Sequence, residues 1–349
     1  MYNNNILKEL SSQFSSDFAK FLDYNLFFIA FCGPASFRDI DTDKWWIKKK
    51  RKYFFIIFLF VFIKNFIIGI KKIIFLTFTN FKYYKFNNNQ KILSISPSTL
   101  CKIENDFINS EYLSKEDTRN VNWIVINYGK SSKIKRNFIL WTTLKIIFAC
   151  IKSFLVSDKK ILVLIPFLSS INWIISLNWV NYYLAYKYIN KIIHKKKPSH
   201  IFCIHELHPF SRIAWICASS NNIKSFTIQH ASITYDKLWY FPGKSEINAG
   251  LKCPDFFYVY SDEVKKMLEK FYPSETKFLI KKSHRYKNLK KSKRLMQNQN
   301  KIKQILFIGS LAWWDNDIIF RGIKNILKNK KINCNIFLRL HPNAKISLN

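Results

Sequence analysis

Three short polar runs stand where open parallel sheets do their chemistry. His205-Glu206 follows the apolar run HIFCI, Gln229-His230 follows SFTI, and His341-Pro342-Asn343 follows NIFLRL. Histidine exchanges a proton near neutral pH, and a carboxylate can take one from a hydroxyl. In an open α/β sheet, ligands gather outside the carboxyl ends of the strands, so these runs are the first to weigh. A lone histidine at a strand end caps or packs as readily as it reacts. Three such runs at equivalent strand ends, split across two α/β units, favour the functional reading, because a cleft between two such domains would bring them face to face.

Other chemistries lack their residues. HELHP (205–209) has its two histidines three apart, leaves a strand and meets Pro209 at once, so it is not the i, i+4 helical zinc pair of a metalloprotease. No Cys/His quartet, GxGxxG, GxxxxGK[ST] or GxSxG is present, which argues against resident zinc, NAD enzymes, P-loop kinases and α/β-hydrolases. The seven cysteines are odd in number, scattered and without a CxxC pair, as in a reducing cytoplasm. The net charge of +35 points to phosphate-bearing partners or an anionic membrane surface. Only nine of the 57 basic residues are Arg, and the Lys, Asn, Ile and Phe bias is what A/T-rich codons produce, so part of that charge reflects composition. Lysine clusters at 48–52, 194–197, 281–293 and 301–303 come without a helix-turn-helix, zinc-finger or RRM signature, and a nucleic-acid partner is not expected.

The elements that must position these residues begin near residue 90. KILSIS (91–96) and NWIVIN (122–127) read as buried strands, 137–156 as a helix, ILVLI (161–165) as a strand ending at Pro166, and 172–196 as one long helix. Strands at 200–205, 225–229, 256–261 and 277–280 then alternate with helices at 209–220 and 262–271. This alternation predicts an open, mostly parallel sheet with helices on both faces. Residues 281–303 are lysine-rich and poor in aliphatics, as an exposed connection is. Strands at 305–310 and 335–340 flank an amphipathic helix at 316–329 and open a second unit, which as a doubly wound domain reads as truncated.

Residues 1–52 show no sustained periodicity. Tyr53 to Phe81 is apolar and aromatic with lysines every seven or so residues, too interrupted for a span and suited to an interfacial or a buried helix. Ile161 to Tyr186 carries no charge over 26 residues, but Pro166 and several Ser and Asn residues interrupt it, so a strand and a buried helix are expected there in place of a transmembrane span.

IHELHPFSRIAWICASSNNIKSFTIQHASITYD (204–236) resembles a segment of bacterial surface-carbohydrate (capsule and O-antigen) biosynthesis proteins in which a strand ends in Gln-His-Gly, with Ala231 here in place of the glycine. CPDFFYVYSDEVKKMLEKFYPSETKFLIKKSHRY (253–286) looks like the next part of that pattern, with His284-Arg285-Tyr286 at its closing turn. ILFIGS and LRLHPN (305–310 and 338–343) are similar to the opening of the C-terminal domain of GT-B glycosyltransferases with a His-Pro motif.

The resemblance implies an α/β, GT-B-like chain of two Rossmann-like domains with parallel sheets, the C-terminal one truncated. It divides the chain into an N-terminal region (1–89) with a membrane-associated apolar basic segment, an acceptor domain (90–281), a linker (282–303) and the start of a donor-nucleotide domain (304–349). It implies sugar transfer from a nucleotide-sugar donor to a lipid-linked or polysaccharide acceptor, without cofactor or metal, at the cytoplasmic face of the inner membrane and against its anionic surface. Glu206 would be the catalytic base, with Asp236 in reserve, and His341 would serve the departing phosphate. Gln229, His230, Arg285, Pro342 and Asn343 would bind substrate. A CDP-polyol phosphotransferase of the same fold, or an inactive membrane-associated scaffold, are the alternatives.

Overall fold

The structure, a computed structural model, describes residues 17, 20, 21, 54–75, 78, 80–85, 91–97, 101–103, 108–110, 121–127, 135–157, 160–204, 209–230, 233, 240–242, 247, 248, 252–281, 303–308, 320–325 and 334–339. Two compact units divide the chain at the lysine-rich connection, Met1–Asn288 and Leu289–Asn349.

In the first unit residues 17, 20 and 21 are helical, and helix α1 (Phe54–Phe75) is followed by β1 (Asn80–Tyr84), β2 (Ile92–Pro97), the short hairpin of β3 (Cys101–Ile103) and β4 (Ile108–Ser110), and β5 (Asn122–Asn127). Three helices come next, α2 (Arg136–Leu155), α3 (Lys160–Ile175) and α4 (Asn178–Lys196). The chain then alternates through β6 (His200–Cys203), α5 (Pro209–Ser220), β7 (Lys224–Ile228), β8 (Phe256–Val259), α6 (Asp262–Glu269) and β9 (Lys277–Ile280). In the second unit β10 (Lys303–Ile308) pairs in parallel with β11 (Cys334–Arg339), and residues 320–325 between them are helical.

Seven strands form one sheet in the order β1-β5-β2-β6-β7-β8-β9. All neighbours run parallel except β1, an antiparallel edge strand on β5. The registers put Ile124, Ile95, Cys203, Thr227, Phe257 and Phe278 in one row on one face of the sheet. That face packs on α2, α4 and α5, where Ile139, Ile146, Trp179, Ile189, Ile213 and Cys217 join Leu93, Ile95, Ile124 and Ile201 in a single buried cluster. Full burial of each aliphatic side chain stabilises by roughly 1.5–3 kcal/mol, so this layer supplies most of the unit's cohesion. A second cluster lies farther along, where Phe257, Val259 and Phe278 meet Leu268 of α6. The opposite face carries Trp123 and Val125, both fully buried, and a ladder of Phe226 stacked on Phe256 at 4.6 Å.

Three features depart from the expectations drawn from sequence. ILVLI is not a strand: it lies inside α3, because a run of five aliphatics looks the same in a buried strand and a buried helix, and the apolar positions continue at helical spacing through Phe167, Ile171 and Ile174. The expected single helix over 172–196 is two helices. They break at Ser176 and Leu177, where Leu177 takes a left-handed φ of 56° and its buried side chain enters the core. β1 and the β3–β4 hairpin were not anticipated.

Two contacts from α1 explain the break. A Cβ on Gly69 would collide with the carbonyl oxygen of Ile175, the last residue of α3, so glycine lets the two backbones approach. One turn on, Lys72 Nζ donates to Ser176 O at 2.9 Å and to Asn178 Oδ1 at 2.8 Å. The break therefore exposes backbone polar groups that a lysine from another helix satisfies. Ser176 and Asn178, two of the residues that interrupt the apolar run of 161–186, are the acceptors of this junction.

Candidate carboxyl-edge site

After β2 the chain crosses to β5 on one side of it and then returns to β6 on the other. Strand order thus reverses at β2, and the crevice between the carboxyl ends of β2 and β6 is where a doubly wound sheet takes a ligand. Ser96, the next-to-last residue of β2, is fully buried, and so is Ile204, which follows β6. Residues 205 and 206 come next in the chain and lie outside the described residues, as do Asp236, Arg285, His341, Pro342 and Asn343.

Gln229 and His230 are described, immediately beyond β7. Gln229 is buried. Its N–H donates to Tyr258 O at 2.9 Å and its Oε1 accepts from Tyr260 N at 3.0 Å, so the side chain extends the β7–β8 pairing past the end of the strands. His230 follows it half-buried. Beside them Thr227 Oγ1 donates to Cys203 O at 3.2 Å, which ties β7 to β6 just under the edge. The structure thus brings Gln229 and His230 to the carboxyl edge, with Gln229 holding two strands in register there.

Sequence reasoning did not single out Tyr260 and Ser261 on the same edge. Ser261 caps α6, its Oγ accepting from Val264 N at 3.3 Å. Asp262 and Glu263 follow in the first turn, where they complement the helix dipole. The cap and the two acidic side chains already satisfy that helix end, so it offers no anion site. The legible signal was Ser-Asp-Glu directly after an apolar strand, a helix start that also places polar groups at the edge.

Burial pushes the Cys203 thiol up to about 12, so this cysteine beneath the edge stays protonated and is no nucleophile at neutral pH. Burial raises Cys150 and Cys253 as well. Among the described residues no three His, Cys, Asp or Glu side chains cluster as a metal site would.

A cavity of about 500 Å³ opens at the opposite edge, where Ser225, Asp255 and Thr276 stand at the amino ends of β7, β8 and β9. Four of its polar residues, Lys224, Ser225, Asp255 and Thr276, are engaged within the sheet edge. Asp255 accepts from Ser225 N at 2.9 Å, Ser225 Oγ at 2.8 Å and Lys224 Nζ at 3.0 Å, and Thr276 Oγ1 donates to Pro254 O at 2.9 Å. Partial burial raises the Asp255 pKa, but the bonds from Ser225 and Lys224 outweigh it and hold the carboxyl below its ordinary value. Asp255 is a pin between β7 and β8. Asp255→Ala leaves the buried Ser225 donors without this acceptor and is expected to cost about 1–3 kcal/mol, read as a lower urea midpoint. A depressed carboxyl contributes stability that is complete above its unfolded value and lost as pH falls through the folded one. The difference between wild type and variant therefore shrinks in acid, below the ordinary carboxylate range.

No protein-family model, curated protein or solved structure matches this chain. The fold and the placement of its residues carry the functional argument alone.

Proposed function

We propose that the protein is a GT-B-type glycosyltransferase of surface-polysaccharide assembly, moving a sugar from a nucleotide-sugar donor to a lipid-linked or polysaccharide acceptor. The observation that carries this reading is the reversal of strand order at β2, because the chain leaves β6, the strand on the crevice, directly into His205-Glu206. A carboxylate there suits the base that takes the acceptor hydroxyl proton, so Glu206 is assigned that role and Asp236 is its reserve. His341, directly beyond LRL in the second unit, is assigned to the donor phosphate, with Pro342 and Asn343 assigned to substrate binding beside it in sequence. Gln229 and His230 border the acceptor, and Arg285 pairs with an anionic group of either substrate.

The test is calorimetric titration of the full chain with UDP, GDP, CDP and CMP. Saturable binding of one of them, weakened at least about tenfold by His341→Ala and unchanged by Glu206→Gln, is the expected result. With a donor so identified, Glu206→Gln abolishes transfer. Binding of a CDP-polyol with release of CMP would move the reading to polyol-phosphate transfer on the same fold. If none of the four nucleotides binds, transfer from donors that carry them is excluded and the scaffold reading leads. The carboxamide of Gln229, engaged with β8 backbone, is the observation on that side.

A further inference from the structure

We infer that α1 and α2 together form a docking surface that lays the first unit flat on an anionic lipid bilayer. Each helix turns one apolar stripe outward. On α1 it runs Phe60, Ile63, Ile67, Ile70 and Ile74; on α2 it runs Trp141, Leu144, Phe148, Ile151 and Leu155. Both stripes advance by three and four residues in turn, which keeps each on a single helix face. Phe60 is 71% exposed and Trp141 68%, so neither stripe is covered by the protein's own described residues. The two helices flank α3: Ile73 of α1 and Ile147 of α2 enter the same core as Ile171 and Ile174, and Phe154 of α2 stacks on Phe167 of α3 at 4.5 Å. Arg136 at the start of α2 donates to Ile74 O near the end of α1 at 3.2 Å. Two long apolar faces thus belong to helices that pack on the same α3.

Charge selects the occupant. Neither helix holds an Asp or Glu, while Lys64 and Lys71 on α1 and Arg136, Lys145 and Lys152 on α2 are exposed. Lys152 Nζ lies 4.9 Å from the ring centre of Phe148, so a cation borders the apolar stripe itself. A second copy of this surface, docked by two-fold symmetry, would bring these cations together with no acidic partner from either helix. Anionic headgroups complement them. The net charge of +35 acts in the same direction.

The helices lie on the membrane and do not cross it. Arg136–Leu155 is long and apolar enough for a span by length and composition, but a third of it is buried in the protein. Its inner stripe, Ile139, Ile146, Ala149 and Cys150, belongs to the core against the sheet and cannot face lipid while the fold persists. α1 is held likewise by Gly69 and Lys72.

The test is flotation of the full chain with phosphatidylcholine vesicles, with and without phosphatidylglycerol. It needs no sugar donor, so its outcome is independent of the transferase reading. The expected result is binding to the phosphatidylglycerol vesicles, weaker binding to neutral ones, and release by alkaline carbonate. Trp141→Ser with Phe148→Ser, and separately Phe60→Ser with Ile67→Ser, should each reduce the bound fraction by roughly tenfold or more. Unfolding curves that match wild type show that these exposed positions were altered without loss of fold. No flotation, equal binding by the variants, or no preference for phosphatidylglycerol overturns the proposal. Resistance to carbonate means that the helices span and also overturns it. A lipid-free dimer that both variants dissolve assigns the surface to a second copy and overturns it too.

Discussion

Trp179→Ala is expected to lower the unfolding free energy by about 3–5 kcal/mol, enough to abolish a folded first unit at modest urea. Trp179 is fully buried at the start of α4, where its ring meets Phe138 of α2 and Tyr183 of its own helix. Its Nε1 donates to Thr143 Oγ1 of α2 at 3.2 Å, so removal opens a cavity and loses a hydrogen bond in one step, although the Thr143 hydroxyl keeps its own bond to Ile139 O at 2.7 Å. Trp179→Phe keeps the ring volume in large part and should cost roughly half as much. Trp141 offers the internal control. It lies on the outer stripe of α2, and Trp141→Ser is expected to change stability by no more than about 0.5 kcal/mol while impairing vesicle binding. Equal losses from both tryptophans would mean that α2 does not pack in the orientation described.

Lys72 gives the second large effect, visible as a pH dependence. Burial at the α3–α4 junction drives its pKa from 10.5 to about 8, so the folded protein sheds this proton more readily than the unfolded chain does. Between pH 8 and 10.5 the unfolded state therefore holds more protons, and stability rises with pH across that window. At about 1.36 kcal/mol per pH unit over the separation from 10.5 to about 8, the cost of keeping Lys72 charged below pH 8 is roughly 3 kcal/mol. Lys72→Met removes this proton exchange while filling a similar volume, but it leaves Ser176 O and Asn178 Oδ1 without their donor. The expected result is a wild-type urea midpoint that climbs from pH 8 to pH 10 and a Lys72→Met midpoint that climbs less. Parallel curves would show that Lys72 titrates near its solution value and is solvated at the junction.

Much of the sheet was legible because short β-branched and aromatic runs between helical segments have few other uses. NWIVIN and KFLI form strands over the bounds read, the strands read at 200–205, 225–229 and 256–261 form over His200–Cys203, Lys224–Ile228 and Phe256–Val259, and α5 keeps the bounds assigned to it. The errors share a cause. Where a segment is apolar on every side, periodicity carries no phase: ILVLI reads as a strand and folds as a helix, and the apolar run of 161–186 hides a helix–helix junction. Nor does the α2 sequence, apolar around much of its circumference, say which stripe meets the sheet; membrane contact was expected at 53–81, and α2 was read only as a helix. Of the candidate site, strand ends showed where polar residues would collect, and Gln229 and His230 stand there. That Gln229 spends its carboxamide on Tyr260 N depends on β7 and β8 being neighbours, which no local pattern records.

By itself, then, the sequence determined local conformations, their alternation and the positions just past strands, because propensity and short-range periodicity act within a dozen residues. Only the tertiary structure decided strand order, the reversal at β2, the partner of Lys72 and the outward face of α2. These depend on contacts between residues as far apart as Lys72 and Ser176, and on which of several apolar surfaces the sheet has already covered.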